Sequence, residues 1–267
     1  LLNSKPIGIF DSGLGGLSVV EKIFVKIPQA KIVYLGDTAR VPYGGRTAEE
    51  LRSFADDITH FLLSKDCGII VDACNSTSAV ALDFLQQKYS NPIIGVIEPG
   101  VRAALDTTRN GCIGVIATEA TVKSGAHKKA AQELDPGITM ISLACPDFVP
   151  LVETGEVTGE RTFNIVKRTL EPLKGTNIDT LILGCTHYPY LSELIKEVIG
   201  EGITLVDPAH ETTKETAKYF LQKVPEENSK IKAEDHEFYV TGNPEHFQRL
   251  GEVLMGRKLP LVKKVNT

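Results

Sequence analysis

Short, nearly continuous apolar runs alternate with longer stretches in which apolar positions recur every three or four residues. The first rhythm predicts buried strands and the second predicts amphipathic helices. Strands are expected at Pro6–Phe10, Lys31–Leu35, Gly68–Val71, Pro92–Val96, Cys112–Ile116, Ile138–Leu143, Thr180–Leu183, Ile203–Val206 and Glu237–Thr241. Helices are expected at Leu14–Ile27, Thr47–Leu63, Ser76–Gln87, Thr118–Glu133, Gly159–Leu173, Tyr190–Ile199, Glu211–Leu221 and Pro244–Leu254. Thr47 is placed as an N-cap, with Glu50 three residues on. The polar stretch Pro225–Asp235 reads as an exposed loop. Alternating strands and helices predict an α/β fold, with a mostly parallel sheet covered by helices on both faces.

The pattern repeats. Ile7–Ser12 matches Ile113–Thr118 at an offset of 106, Val33–Pro42 matches Ile141–Pro150 at 108, and Ile70–Cys74 matches Leu181–Cys185 at 111. Three matches in one order, with a slowly growing offset, point to a duplicated βα domain. Cys74 and Cys185 then hold equivalent positions, each just past the carboxyl end of a strand. Ligands bind at such strand ends in open parallel sheets. Two facing domains would put one thiol on each wall of a shared cleft.

Composition narrows the setting. The chain has 267 residues, which suits one large α/β unit or two small domains. A net charge of −5 gives no global basic field for nucleic acid. No apolar run approaches the roughly 20 residues that span a bilayer. The first residues, Leu1–Pro6, carry no long apolar stretch of the secretory kind. Five cysteines, without a CxxC pair or Cys/His zinc spacing, exclude a disulfide scaffold and a zinc module. Free thiols in the cytoplasm are expected.

Several segments carry candidate chemistry. Ala73-Cys74-Asn75-Ser76-Thr77 sets a thiol between a strand and a helix N-terminus, where thiol pKa falls. Burial in the core is its plainer reading. Gly184-Cys185-Thr186-His187-Tyr188-Pro189 gathers a thiol, a hydroxyl and an imidazole, and His187 could poise the thiol or relay its proton. Cys67 and Cys112 read as structural, and Cys145 sits in a loop flanked by proline. Asp11-Ser12-Gly13-Leu14-Gly15-Gly16 is a glycine-rich strand–helix turn, without the Walker lysine or the dinucleotide spacing. It suits a small anion or carboxylate, with Asp11 as either a cap or an acid/base. Pro42-Tyr43-Gly44-Gly45 is a turn downstream of Asp37, and Tyr43 is a lid or a donor to ligand. Glu153 is either an acid near the site or a solvated helix charge. Thr118 and Thr121 open a helix, where capping explains at least one of them.

One thiolate beside a histidine suggests acyl transfer. A thiol on each wall suggests inversion of a carbon, with one group taking a proton from one face and the other delivering a proton to the opposite face. At these residues the chain resembles the cofactor-independent aspartate/glutamate racemase family, glutamate racemases in particular. The matching segments are Phe10–Gly16, Val41–Gly44, Ala73–Asn75, Gly95–Gly100, Cys145-Pro146, Pro150–Glu153, Gly184–Pro189 and Thr241–Pro244. The resemblance implies interconversion of L- and D-glutamate without a cofactor or metal, supplying D-glutamate for peptidoglycan in the bacterial cytoplasm, by a homodimer. It implies two α/β domains related by a pseudo-twofold axis, with the active site between them. Residues 1–97 would form the first domain, 98–207 the second, and 208–267 would return to the first. Cys74 would act on the D-enantiomer with help from Asp11. Cys185 would act on the L-enantiomer with help from His187, and Glu153 would be an acid near the site. Substrate contacts would come from Asp11, Ser12, Tyr43, Gly44, Asn75, Ser76, Thr118, Thr121, Thr186 and His187.

The chain departs from the family pattern twice. Ser76 followed by Thr77 replaces the usual Thr after Cys-Asn, and Asp72 stands where the family carries an apolar residue. A charge buried there needs a partner. The motifs offer backbone N–H groups and neutral side chains, not arginines, for a dicarboxylate, which favours moderate binding and stabilisation as charge develops at the α-carbon. Rival readings are an aspartate or hydantoin racemase, a maleate isomerase, a single-thiol hydrolase or acyltransferase using Cys185 and His187, and a solute-binding module.

Overall fold

The structure, a computed structural model, describes residues 5–221 and 231–267. Leu1–Ser4 and the part of the expected loop before residue 231 lie outside the described residues. The first half runs β1 (Ile7–Asp11), α1 (Leu17–Lys26), β2 (Ile32–Gly36), α2 (Ala48–Ser64), β3 (Ile69–Asp72), α3 (Asn75–Lys88), β4 (Ile93–Ile94) and α4 (Ile97–Thr107). The second half runs β5 (Cys112–Ala117), α5 (Glu119–Ser124), α6 (Ala126–Leu134), β6 (Thr139–Ala144), α7 (Phe148–Glu153), α8 (Glu160–Leu170), β7 (Thr180–Gly184), α9 (Ser192–Ile199) and β8 (Thr204–Val206). The chain closes with α10 (Pro208–Leu221), β9 (Glu237–Val240), α11 (Pro244–Met255) and β10 (Val262–Lys264). Among the described residues no helix is long and apolar enough to cross a membrane.

The strands form two sheets, β10-β9-β2-β1-β3-β4 and β6-β5-β7-β8, in which every pairing is parallel. The second sheet repeats the order of β2-β1-β3-β4, and the registers match as well. Ile7 pairs with Ile32 and Ile69; displaced by 106, 108 and 111 residues, Ile113 pairs with Met140 and Thr180. The C-terminal strands β9 and β10 extend the first sheet beyond β2.

Near-continuous apolar strands arise because both faces are covered. Ile7, Ile9, Ile32, Tyr34, Ile69 and Val71 pack on one face with residues of α1, α10 and α11. The alternate residues Phe10, Val33, Leu35 and Ile70 pack on the other with residues of α2 and α3. In the second half Ile116, Leu181 and Leu183 face one way, and Ile113, Val115 and Ile182 the other. The capping box at Thr47 and Glu50 forms as expected.

Some elements differ from the sequence reading. Helix α4 is absent from the expected helices, and it contains Pro99-Gly100. Proline in a first helical turn sacrifices no intrahelical hydrogen bond, and Gly100 lets α4 approach α10, since a Cβ there would stand 2.8 Å from Pro208 Cγ. The expected single helix at 118–133 breaks at Gly125, whose φ of +68° is left-handed. Helix α7 fills the loop after β6. Strand β10 (Val-Lys-Lys) is too short and too charged to show a period.

Candidate active site

The candidate side chains gather at the carboxyl ends of β1, β2, β3, β5 and β7, where each strand stops and its polar backbone must find other partners. Asp11 ends β1 fully buried; its Oδ2 accepts the Gly13 N–H at 3.0 Å and its Oδ1 accepts the Thr186 hydroxyl at 3.0 Å. The second of these bonds links the two halves. Ser12 follows, also buried.

Cys74 is the N-cap of α3 and is buried against Tyr43 and Leu51. Burial first, then the charges of Asp11 and Asp72, push its thiol well above the ordinary range. Charge on Cys185 pushes it the same way, which puts the two thiols within electrostatic reach of each other. Beside Cys74, Ser76 Oγ lies 2.9 Å from Thr118 Oγ1, and Thr118 Oγ1 lies 3.0 Å from Thr121 Oγ1. These three hydroxyls, one from the first half and two from the second, form a second link. Thr118 also caps α5. Asn75 is buried, and its Oδ1 has no hydrogen-bond partner among the described residues.

Cys185 Sγ lies 3.6 Å from His187 Nδ1, and His187 Nε2 lies 2.6 Å from Glu153 Oε1. Burial alone would lower the His187 pKa. The hydrogen bonds and negative charges of Cys185 and Glu153 outweigh it and hold the imidazole well above its usual value. Burial would raise Glu153, and the bond to His187 reverses this and holds the carboxyl below its usual range. Glu153 is therefore not a solvated helix charge. Its Oε1 also accepts the Leu14 N–H at 2.8 Å, a third link between the halves.

Tyr43 donates to Asp37 Oδ2, Arg40 Nε donates to the same oxygen at 2.6 Å, and Thr241 donates to Asp37 Oδ1 at 2.7 Å. Gly44 O accepts the Ala120 N–H at 3.0 Å. Arg40 also lies 4.1 Å over the Phe54 ring, and Arg46 pairs with Glu50. Both arginines are thus engaged within the first half.

Every site residue expected from the sequence lies in this region. Asp37, Gly13 and Gly15 were named in the sequence only in or beside turns, without roles of their own. Asp37 is fully buried and follows the end of β2, the same strand-end signal that marked Asp11 and Cys74. A Cβ on Gly13 would overlap Glu153, and one on Gly15 would overlap His187 Nδ1 and Thr186 Oγ1. Only glycine permits those close approaches. Of the remaining cysteines, Cys67 and Cys112 are core residues, and burial pushes the Cys67 thiol up to about 12. Cys145 is buried, and its carbonyl accepts the Tyr188 hydroxyl at 3.0 Å. Among the described residues no cluster of three His, Cys, Asp or Glu side chains is placed to hold a metal ion.

The sequence model of the Asp/Glu/hydantoin racemase family matches residues 14–216. A glutamate racemase of Streptococcus agalactiae is 40% identical over 258 residues, covering 97% of each chain. Among solved structures, a glutamate racemase isoform of Bacillus anthracis is 39% identical with a TM-score of 0.94, covering 99% of this chain and 98% of that one. The glutamate racemase of Francisella tularensis, solved with D-glutamate, is 34% identical with a TM-score of 0.91, covering 100% of this chain and 98% of that one. By sequence over most of its length, this chain belongs to the Asp/Glu/hydantoin racemase family.

Proposed function

We propose that this protein is a glutamate racemase, interconverting L- and D-glutamate by two-thiol proton transfer at Cα. The observation that carries the reading is a buried thiol at the same strand end in each half, with unlike partners: Cys185 on His187–Glu153, and Cys74 beside Asp11. For L-glutamate, the Cys185 thiolate takes the α-proton, forming S–H and leaving the bonding pair on carbon. The Cys74 S–H bond then breaks and its proton joins Cα from the opposite face. D-glutamate runs the same steps in reverse. His187, held as the imidazolium by Glu153, stabilises the thiolate of Cys185.

The α-proton is weakly acidic, so the site must stabilise charge as it develops and exclude water. Asn75 Oδ1, buried without a donor among the described residues, suits the substrate ammonium group. Ser12, Tyr43, Gly44, Ser76, Thr118, Thr121 and Thr186 supply neutral groups for the carboxylates, while Arg40 and Arg46 serve the protein. The lobes are assigned as residues 1–97 with 208–267, and 98–207. Cys74 and Cys185 are both buried, so substrate entry calls for the lobes to part. D-glutamate made in this way would feed peptidoglycan synthesis in the cytoplasm, and the working form is a homodimer.

Racemisation in deuterated water, with and without pyridoxal phosphate, tests the reading. The product should carry deuterium at Cα, substrate recovered early should carry little, and added cofactor should change nothing. Equal early labelling of both pools would mean a single base. Gly15 tests the closure. A methyl at Gly15→Ala must displace His187, whose Cε1 would stand 2.7 Å from it, or hold the lobes apart. A fall in kcat of about 100-fold is expected, together with a lowered Tm from overpacking that costs about 1–3 kcal/mol. Turnover equal to wild type would show that this contact is unimportant.

A further inference from the structure

The two halves differ at one strand-end position. Asp72 closes β3 opposite Phe10, and its counterpart Leu183 lies opposite Ile116. Both side chains are buried. Leu183 joins the apolar core. Asp72 Oδ1 instead accepts the Cys74 N–H at 3.2 Å and the Thr77 hydroxyl at 2.6 Å. Ser78 Oγ donates to Asp72 O at 3.0 Å, and Thr77 Oγ1 also lies 3.1 Å from Cys74 O. The whole turn that carries the thiol is thus tied to one residue. Asp72 Oδ2 has no hydrogen-bond partner among the described residues. A leucine fills the matching site in the other half, so packing does not require a carboxyl here, and an unpartnered buried oxygen is destabilising.

The thiols also have different neighbours. The counterpart of His187 in the first half is Ser76, so Cys74 has no imidazole at that position. The titratable groups in electrostatic reach of Cys74 are Asp11 from β1, Tyr34 from β2, Asp72 from β3, Tyr43 from the turn after β2, and Cys185 from the turn after β7. Burial pushes the Asp72 carboxyl up to about 8. It is mostly neutral at pH 7 and ionised in the range where a buried thiol titrates.

We propose that Asp72 is a positioning residue for Cys74: it anchors the thiol-bearing turn through the Cys74 amide and Thr77, and its charge opposes loss of the thiol proton. This rests on the two-thiol reading above and deepens it. In the direction L to D, Cys74 must hold a proton to deliver. In the direction D to L, the same repulsion makes its thiolate a stronger base once Asp72 is ionised. The enantiomers are equal in free energy, so Asp72 alters the pH dependence of each direction and leaves the equilibrium at one.

The test is the pH dependence of iodoacetamide alkylation, read by mass spectrometry on the full chain without substrate. Cys74 is read in a Cys185→Ser background, and Cys185 in a Cys74→Ser background. Asp72→Asn keeps the size and the acceptor and removes the charge. It should lower the Cys74 midpoint by about one pH unit or more and leave that of Cys185 unmoved. In the protein with both thiols, the alkaline limb of L-to-D turnover should move down with it, with kcat at pH 7 retained. Asp72→Leu, copying the counterpart residue, should show the same midpoint shift and lose about tenfold in kcat, because the Cys74 amide loses its acceptor. An unmoved Cys74 midpoint in Asp72→Asn overturns the proposal, as does wild-type kcat in Asp72→Leu. Absence of racemisation by the wild-type protein would remove the two-thiol reading, while the alkylation midpoints would still decide whether Asp72 governs Cys74.

Discussion

Alanine in place of either Cys74 or Cys185 is expected to lower racemisation of both enantiomers by about 1,000-fold or more. A positioned acid or base contributes about 100- to 10,000-fold. Each thiol is the base in one direction and the acid in the other, so losing either stops both directions. The substitution removes one buried sulfur atom, and the melting temperature should move little. A finer result is expected in deuterated water. Cys74→Ala retains Cys185 with His187 and Glu153, and should still exchange the α-proton of L-glutamate for deuterium without inverting it. Cys185→Ala should do the same for D-glutamate. The Cys185–His187–Glu153 chain alone also suits acyl transfer. That rival predicts no loss in Cys74→Ala, so full racemisation by this variant would falsify the two-thiol mechanism.

Glu153→Gln should lower kcat by about 100-fold and shift the alkaline limb of the pH–rate profile to lower pH. His187 titrates above its usual value because Cys185 and Glu153 outweigh its burial. Removing the Glu153 charge lowers the His187 pKa, so the imidazolium that supports the Cys185 thiolate is lost at a lower pH. Gln retains an acceptor for the Leu14 N–H, bonded at 2.8 Å in the parent protein, which separates the charge from the link between halves. A reduced kcat with an unmoved alkaline limb would mean that Glu153 only joins the lobes. The same linkage predicts a stability effect. The Glu153 carboxyl is held below its usual range, so it stabilises the fold above the ordinary carboxylate pKa, and that contribution is lost as pH falls through the depressed value.

Much of the site was legible because its residues sit beside strand ends. The apolar runs place those ends to within a residue or two, and a thiol, a carboxylate or a glycine-rich turn just beyond one is conspicuous. Glu153 was harder. Nothing in Pro150–Glu153 shows whether the carboxylate faces water or His187, 34 residues later, and only the packing of α7 against the turn after β7 settles it. Asp72 was visible as an oddity in an apolar strand, but its partners were not. Thr77 and the Cys74 amide reach it because α3 begins there, turning its first residues back over the strand end.

The linear pattern was sufficient for the α/β class, the duplication and the equivalence of Cys74 and Cys185; the pairing and register of the strands came from the structure. Periodicity and repeat offsets are properties of residue order, and burial on both faces of a parallel sheet imposes them directly. Tertiary structure alone decided which groups meet across the halves: Asp11 with Thr186, Leu14 with Glu153, Ser76 with Thr118. It also decided that His187 is held between a thiol and a carboxylate while Cys74 lies between two aspartates. Hydrogen bonds and charge interactions act over a few ångströms in space, and the residues they join here lie between 2 and 175 positions apart in the chain.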